Sequence, residues 1–190
     1  MIDNHLFRGD FIIITGGPGS GKTTLLDELQ ENNYKYIPEV AREIIRTQVS
    51  SMGDALPWKN VKKYRDLMLD QSIESFISAL SNPQDKPLFF DRGIPDTLAY
   101  TQLINLPISK KLESATRKYM YNKRVFILPP WKDIYKTDSE RKQDFEEAVA
   151  TYKIMFETYK HLGYELIEVP KLNVEERASF ITENVVSWEL

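Results

Sequence analysis

The chain has 190 residues, a formal net charge of −3 at pH 7 and no cysteine. The length suffices for one well-buried core, and no Ser/Gly-rich linker divides the chain, so we expect a single domain over residues 1–190. The negative charge gives no general attraction to nucleic acid, and a chain without cysteine has no disulfides, thiolate metal sites or cysteine nucleophiles.

Targeting and membrane segments are not evident. Residues Met1–Leu6 lack a basic segment followed by an apolar stretch, and no run approaches 18 apolar residues. We therefore expect a cytoplasmic protein without membrane insertion, in the compartment where ATP and GTP are found. The sequence does not indicate an oligomeric state.

Five short apolar runs alternate with longer segments of helical periodicity, which predicts an α/β fold with parallel strands joined by helical crossovers. The expected strands are Phe11–Thr15, Tyr34–Pro38, Leu88–Asp91, Arg124–Leu128 and Tyr164–Val169. The expected helices are Lys22–Asn32, Glu39–Val49, Trp58–Ser81, Asp96–Leu103, Ser109–Tyr121, Ser139–His161 and Val174–Ser187. The first, third and fourth strands are almost wholly apolar, which predicts that they form the centre of the sheet.

The segment Gly16–Thr23 directly follows the first strand and matches the phosphate-binding pattern G-x-x-x-x-G-K-[ST]. Its glycines permit the tight turn and the close approach of backbone N–H groups to phosphate oxygens. We expect Lys22 to reach the β- and γ-phosphates of ATP or GTP and Thr23 to ligate Mg²⁺. The expected nucleotide contacts are Gly17, Gly19, Ser20, Gly21, Lys22, Thr23 and Thr24.

A second cluster begins at Glu39, where the second predicted strand ends. A carboxylate there can accept a hydrogen bond from a substrate hydroxyl or act as its general base. Arg42 and Arg46 share a helix face with Glu39, and that face can bind an anionic acceptor. The alternative is a solvated helix held by neighbouring Glu and Arg pairs.

The third cluster is Asp91-Arg92-Gly93, at the end of an apolar strand. An acid at this position lies beside the magnesium of a phosphate loop, so Asp91 is a candidate metal ligand and catalytic group. The alternative for Asp91 is a helix cap or a surface acid. Arg92 is a candidate phosphate contact or a structural ion-pair partner, and Asp96 follows Pro95 as a helix cap.

The segment of about 130–142 follows the fourth strand and contains Trp131 and Arg141. In a nucleotide kinase this connection is a lid that excludes water and supplies a cation to the transferring phosphoryl group. Arg141 is the candidate for that cation, with an exposed helical ion pair as its alternative. Trp131 is either a hinge anchor or a stacking surface for a substrate ring.

Five segments carry a resemblance to a known family: GGPGSGKTT, PEVAREI, FFDRGIPDTLAY, PPW with DSER, and GYELIEVP. With these segments the chain resembles a family of small stand-alone phosphate-loop proteins described as AAA-type ATPases. That family is similar to the ribosylnicotinamide kinase domain of bacterial NAD-regulatory proteins. The resemblance implies a three-layer, nucleotide-kinase-like P-loop fold with strand order 2-3-1-4-5 and a lid. It also implies that the candidate site residues are Glu39, Arg42, Asp91, Arg92 and Arg141. The chain departs from AAA ATPases in having no second acid beside Asp91.

The leading hypothesis is a kinase that transfers the γ-phosphoryl group of ATP or GTP to a nucleoside-like or phosphorylated metabolite. A second hypothesis is a nucleotide-dependent switch or binding module that acts on a protein or lipid partner. Simple hydrolysis of the nucleotide is a third, disfavoured by the missing second acid. The sequence leaves the acceptor and the preference for ATP or GTP open.

Overall fold

The computed structural model describes residues 5–135 and 144–188. A parallel five-stranded sheet lies at the centre. Its strands are β2 (Phe11–Gly16), β3 (Lys35–Ile37), β4 (Leu88–Asp91), β6 (Arg124–Leu128) and β7 (Glu165–Glu168). They lie in the order β3-β4-β2-β6-β7. Numbered along the chain, these five strands have the order 2-3-1-4-5 that the family resemblance implied.

Helices cover both faces of the sheet, which gives three layers. The helices are α1 (Lys22–Glu31), α2 (Val40–Ser50), α3 (Val61–Leu80), α4 (Ile94–Leu103), α5 (Lys110–Lys118), α6 (Phe145–His161) and α7 (Val174–Trp188). Along β2, Ile12 and Ile14 pack against α1 and α7, whereas Phe11 and Ile13 face α3, α4 and α5. Because β2, β4 and β6 are covered on both sides, their residues are almost wholly apolar, as predicted.

The predicted boundaries of the third and fifth helices were wrong, each for a local reason. The fifth helix ends at Lys118, because β5 (Tyr119–Met120) pairs in parallel with a short strand β1 (Leu6–Phe7). The third helix excludes Trp58 and begins at Val61, where the Asn60 side chain accepts a hydrogen bond from the N–H of Lys63.

In the described residues the long helix after β6 begins at Phe145, and the predicted start at Ser139 lies outside them. Asp144 is extended, and its side chain accepts the N–H of Glu147 while the Glu147 carboxylate accepts the N–H of Asp144. This reciprocal capping box satisfies two backbone donors at the helix start. None of the helices in the described ranges is both long and apolar enough to cross a membrane.

Parallel strands end at one edge of the sheet, so the chain segments that leave them are neighbours there. The phosphate loop leaves β2, Glu39 lies two residues beyond β3, and Asp91 and Arg92 lie at the end of β4. Trp131 and a 3₁₀ turn (Lys132–Ile134) follow β6 at the same edge. The fold thereby brings together clusters that lie far apart in the sequence.

Candidate functional site

The phosphate loop joins β2 to α1 in the conformation that its glycines allow. Gly19 and Gly21 have φ values of 72° and 80°, in the left-handed region that residues with a Cβ rarely adopt. Gly21 is the residue before the first turn of α1, and therefore the N–H groups that follow it point out of the helix start. This arrangement, together with the helix dipole, favours an anion.

One buried polar side chain of the loop, that of Ser20, suits a bound phosphate. Ser20 is 4% exposed, and within the described ranges its Oγ has no hydrogen-bond partner. A buried hydroxyl without a partner is unfavourable, and a phosphate oxygen in the loop would supply one. Thr23 and Thr24 lie in the first turn of α1 and are exposed.

Lys22 and Asp91 are brought together by the structure. The Lys22 Nζ lies 2.9 Å from Asp91 Oδ1, and both side chains are buried. Among the described residues, Asp91 Oδ1 makes no hydrogen bond of regular geometry, so the contact is an ion pair. The carboxylate at the end of β4 thus lies beside the loop, where the sequence predicted it. In a buried ion pair each charge offsets the desolvation cost of the other. Replacing either residue would therefore leave an uncompensated buried charge and lower the stability of the fold.

A magnesium ion fits this arrangement. No group of three or more His, Asp or Glu side chains able to hold a metal ion occurs in residues 5–135 and 144–188. Mg²⁺ in nucleotide sites is usually held by one or two protein oxygens, water and the phosphates themselves. Thr23 and Asp91, which the sequence predicted to hold the ion, lie at the start of α1 and the end of β4, and their role as ligands stays a prediction.

Arg92 is the centre of a polar network next to the loop. Its Nε donates to Glu39 Oε1 at 2.8 Å, and its Nη1 donates to Asp96 Oδ1 at 3.2 Å. Arg92 has φ 71°, a strained value for a non-glycine residue that costs on the order of 1–3 kcal/mol. Burial alone would lower the pKa of Arg92, but the carboxylates of Glu39 and Asp96 outweigh it and raise that pKa. The guanidinium is therefore held charged, in a fixed position.

Glu39 stays ionised in this network. Burial alone would raise the pKa of Glu39, but the positive charges of Arg92, Lys22 and Arg42 outweigh burial and hold that pKa at about 2. The Arg42 Nε lies 3.6 Å from Glu39 Oε2. Glu39 precedes the first residue of α2, yet its side chain does not cap the helix. Its carboxylate is instead directed toward the arginines.

Asp96 has a larger part in the site than the helix cap that the sequence suggested. It is 3% exposed and accepts the N–H of Gly93 at 2.7 Å, as well as the hydroxyls of Thr15 and Tyr159. With Arg92 it has a full set of partners. A carboxylate with so many donors is rigid, and Asp96 therefore fixes the orientation of Arg92.

A cavity of about 840 Å³ opens beside this network, between α2, α3, α4 and α6. Its walls are mostly apolar or aromatic, including Ala41, Ile45, Tyr64, Met68, Tyr100 and Met155. Glu39, Arg92 and Asp96 form its polar end, and Pro18 of the phosphate loop borders it. Arg42 and Arg46 also line it, as their shared helix face predicted, and the described residues place no carboxylate in an ion pair with Arg46. The volume and lining are those of a small-molecule site.

Arg177 at the start of α7 is a residue that the sequence analysis missed. It is 6% exposed, and its Nη1 lies 3.0 Å from the position that a Cβ on Gly21 would occupy. Its guanidinium carbon lies 5.7 Å from the centroid of the Trp131 ring. Trp131 therefore contacts a cation at the edge of the loop. Residues 136–143, which include Arg141 and the end of the predicted lid, lie outside the described residues, so the role of Arg141 stays a prediction.

Comparison with known proteins gives one family and several similar structures. A family model described as an AAA domain matches residues 11–177, and no curated protein matches the chain. A deoxyadenosine kinase from M. mycoides with bound products has a TM-score of 0.67 at 17% identity, covering 93% of this chain and 99% of that chain.

Two further structures are similar over most of this chain. NadR protein in complex with NR has a TM-score of 0.66 at 16% identity, covering 93% of this chain and 51% of that chain. A shikimate kinase from Acinetobacter baumannii with shikimate has a TM-score of 0.57 at 17% identity, covering 95% and 94%. At these identities the likeness establishes the fold, which is that of the small P-loop kinases.

Proposed function

The chain belongs to the AAA domain family, and we propose that it is a kinase that transfers the γ-phosphoryl group of ATP or GTP to a hydroxyl of a small molecule. One observation carries the proposal: the Glu39–Arg92–Asp96 network lies between the phosphate loop and an apolar cavity. The kinase-like fold supports the reaction class. A cytoplasmic location, with its supply of ATP and GTP, is part of the proposal.

The donor's triphosphate occupies the loop, where the N–H groups at the start of α1 bind its oxygens. Lys22 gives up part of its contact with Asp91 and reaches the β- and γ-phosphates. Asp91 and Thr23 are the residues that would hold Mg²⁺. The metal ion, when bound, neutralises charge on the β- and γ-phosphates. Ser20 donates its hydroxyl hydrogen to a phosphate oxygen and so gains the partner that it lacks.

The acceptor lies in the cavity with its hydroxyl against Glu39. A bond forms between that oxygen and the γ-phosphorus, and the bond from the γ-phosphorus to the β–γ bridging oxygen breaks. The phosphoryl-transfer transition state is loose, so the hydroxyl proton leaves late and a weak base suffices to take it. Glu39, ionised at neutral pH, orients the hydroxyl and accepts this proton, and Arg92 stabilises charge on the transferring group.

The cavity lining supports a proposal for the kind of acceptor. Tyr64 and Tyr100 meet edge to face with ring centroids 5.8 Å apart, and they provide a wall suited to a ring. Arg42 and Arg46 provide positive charge for a phosphate or carboxylate. We therefore propose a nucleoside-like or phosphorylated metabolite as the acceptor.

The test is incubation of the protein with a metabolite panel and γ-labelled ATP or GTP, followed by mass spectrometry. We expect label in an organic product, and we expect that product to be lost when Lys22→Met removes the donor contact. Label that appears only in inorganic phosphate, with every acceptor tried, would instead identify a nucleotide hydrolase.

A further inference from the structure

The guanidinium of Arg177 is a buried charge without a counter-charge. Arg177 is only 6% exposed, and its Nε has no hydrogen-bond partner in the described ranges. Those ranges also contain no carboxylate in an ion pair with it; the Trp131 ring, 5.7 Å away, is the contact that partly offsets its charge. Burial lowers the pKa of Arg177, since water is removed and no anion replaces it.

The position of this charge points to a ligand. Arg177 Nη1 approaches Gly21, the residue before the first turn of α1, where exposed backbone N–H groups and the helix dipole already favour an anion. Burying an unpaired charge is costly, and the cost is removed when an anion binds beside it. A phosphate group in the loop is the anion that this site would take.

The sheet topology indicates which phosphates are involved. Lys22 is paired with Asp91 at the end of β4, on the side of β2 where the cavity and Glu39 lie. Arg177 reaches the loop from α7, which follows β7 on the opposite side of β2. The γ-phosphoryl group must face the cavity for transfer, so Arg177 lies toward the other end of the phosphate chain.

We propose that Arg177 is a donor-binding residue that contacts the α- or β-phosphate of the nucleotide, with Trp131 holding the guanidinium in place. The contact forms when the donor binds, so it contributes to the binding of every nucleotide that carries these phosphates. The proposal that Arg177 binds a phosphate rests only on nucleotide binding at the loop. It holds whether the nucleotide is used for phosphoryl transfer or for hydrolysis.

The experiment compares the wild type with Arg177→Met, Arg177→Lys and a matched control, Arg117→Met. Arg117 is exposed on α5 and makes an ion pair with Glu113, remote from the loop. Calorimetry in the presence of Mg²⁺ measures the affinities for ATP and ADP. Competition with ATP measures the affinity for inorganic pyrophosphate, which has two linked phosphates but no nucleoside. Thermal unfolding measures the stability of the nucleotide-free protein.

We expect Arg177→Met to lower the affinities for ATP, ADP and pyrophosphate by a similar factor of about 10 to 100, because a charged hydrogen bond is lost. Arg177→Lys should retain part of the affinity, and the control all of it. The nucleotide-free Arg177→Met protein should unfold at a temperature no lower than the wild type. Unchanged pyrophosphate binding would overturn the proposal, whether or not ATP binding falls, because the arginine would then contact the base or serve only packing. A lower unfolding temperature would overturn the claim that its charge is uncompensated.

Discussion

Replacing Glu39 by Gln tests the electrostatic account of the site with a defined magnitude. The substitution keeps the size of the side chain and removes the charge that faces Arg92 and Arg42. Glu39 is 16% exposed, and its pKa of about 2 lies below the ordinary value of 4.5. At about 1.4 kcal/mol for each pH unit, this difference corresponds to about 3 kcal/mol of folding stability.

The sign of the pH dependence follows from the lowered pKa. A carboxylate whose pKa is lower in the folded protein stabilises it fully above pH 4.5, and the contribution is lost as the pH falls toward 2. At pH 7 the Glu39→Gln protein should therefore have a free energy of unfolding about 3 kcal/mol lower than the wild type. The two should converge as the pH is lowered from 4.5 toward 2.

The assay is urea unfolding at several pH values from about 2.5 to about 7. Glu43→Gln, an exposed position one turn further along α2, is the matched control and should change stability by about 0.5 kcal/mol or less. The reasoning is refuted if Glu39→Gln is as stable as the wild type at pH 7. It is equally refuted if the difference is the same at both ends of the pH range.

Three further predictions concern the loop and the end of β4. Lys22→Met should abolish triphosphate binding in calorimetry and also lower the free energy of unfolding by about 3 kcal/mol, because Asp91 is left buried without its counter-charge; unchanged affinity would contradict the assignment. Asp91→Asn should reduce turnover and raise the Mg²⁺ concentration needed for half-maximal rate, and a variant with wild-type metal dependence would exclude Asp91 as a ligand. Gly93→Ala should destabilise the fold by about 1–3 kcal/mol in urea unfolding, since its Cβ would lie 2.6 Å from Ile13 Cδ1; a stability equal to wild type would show that the core yields there.

The parts of the site that the sequence predicted depend on short segments. The turn of Gly16–Thr23 requires glycine at particular positions, and an apolar strand that ends in Asp91 is recognisable in isolation. The five strands of the central sheet and their alternation with helices were predicted because each apolar run is also recognisable within a short segment. The order of the strands needed the family resemblance, because the apolar pattern of a strand does not identify its neighbours.

The parts that could not be predicted depend on contacts between distant segments. Asp96 looked like a helix cap, and its partners Thr15 and Tyr159 lie 81 and 63 residues away in the chain. Arg177 lies in a charged helical turn, and its contact with Gly21 exists only once α7 has packed beside α1. Tyr119 continues a helical pattern, and pairing with the N-terminal strand ends the helix before it.

The most direct test of the proposed reaction is a crystal structure with a non-hydrolysable triphosphate, Mg²⁺ and an acceptor that takes label in the transfer assay. We predict that the acceptor lies in the cavity with its hydroxyl oxygen within hydrogen-bond distance of the Glu39 carboxylate and in line with the γ-phosphorus. An acceptor bound elsewhere, or a γ-phosphate that faces Arg177 rather than the cavity, would contradict the account.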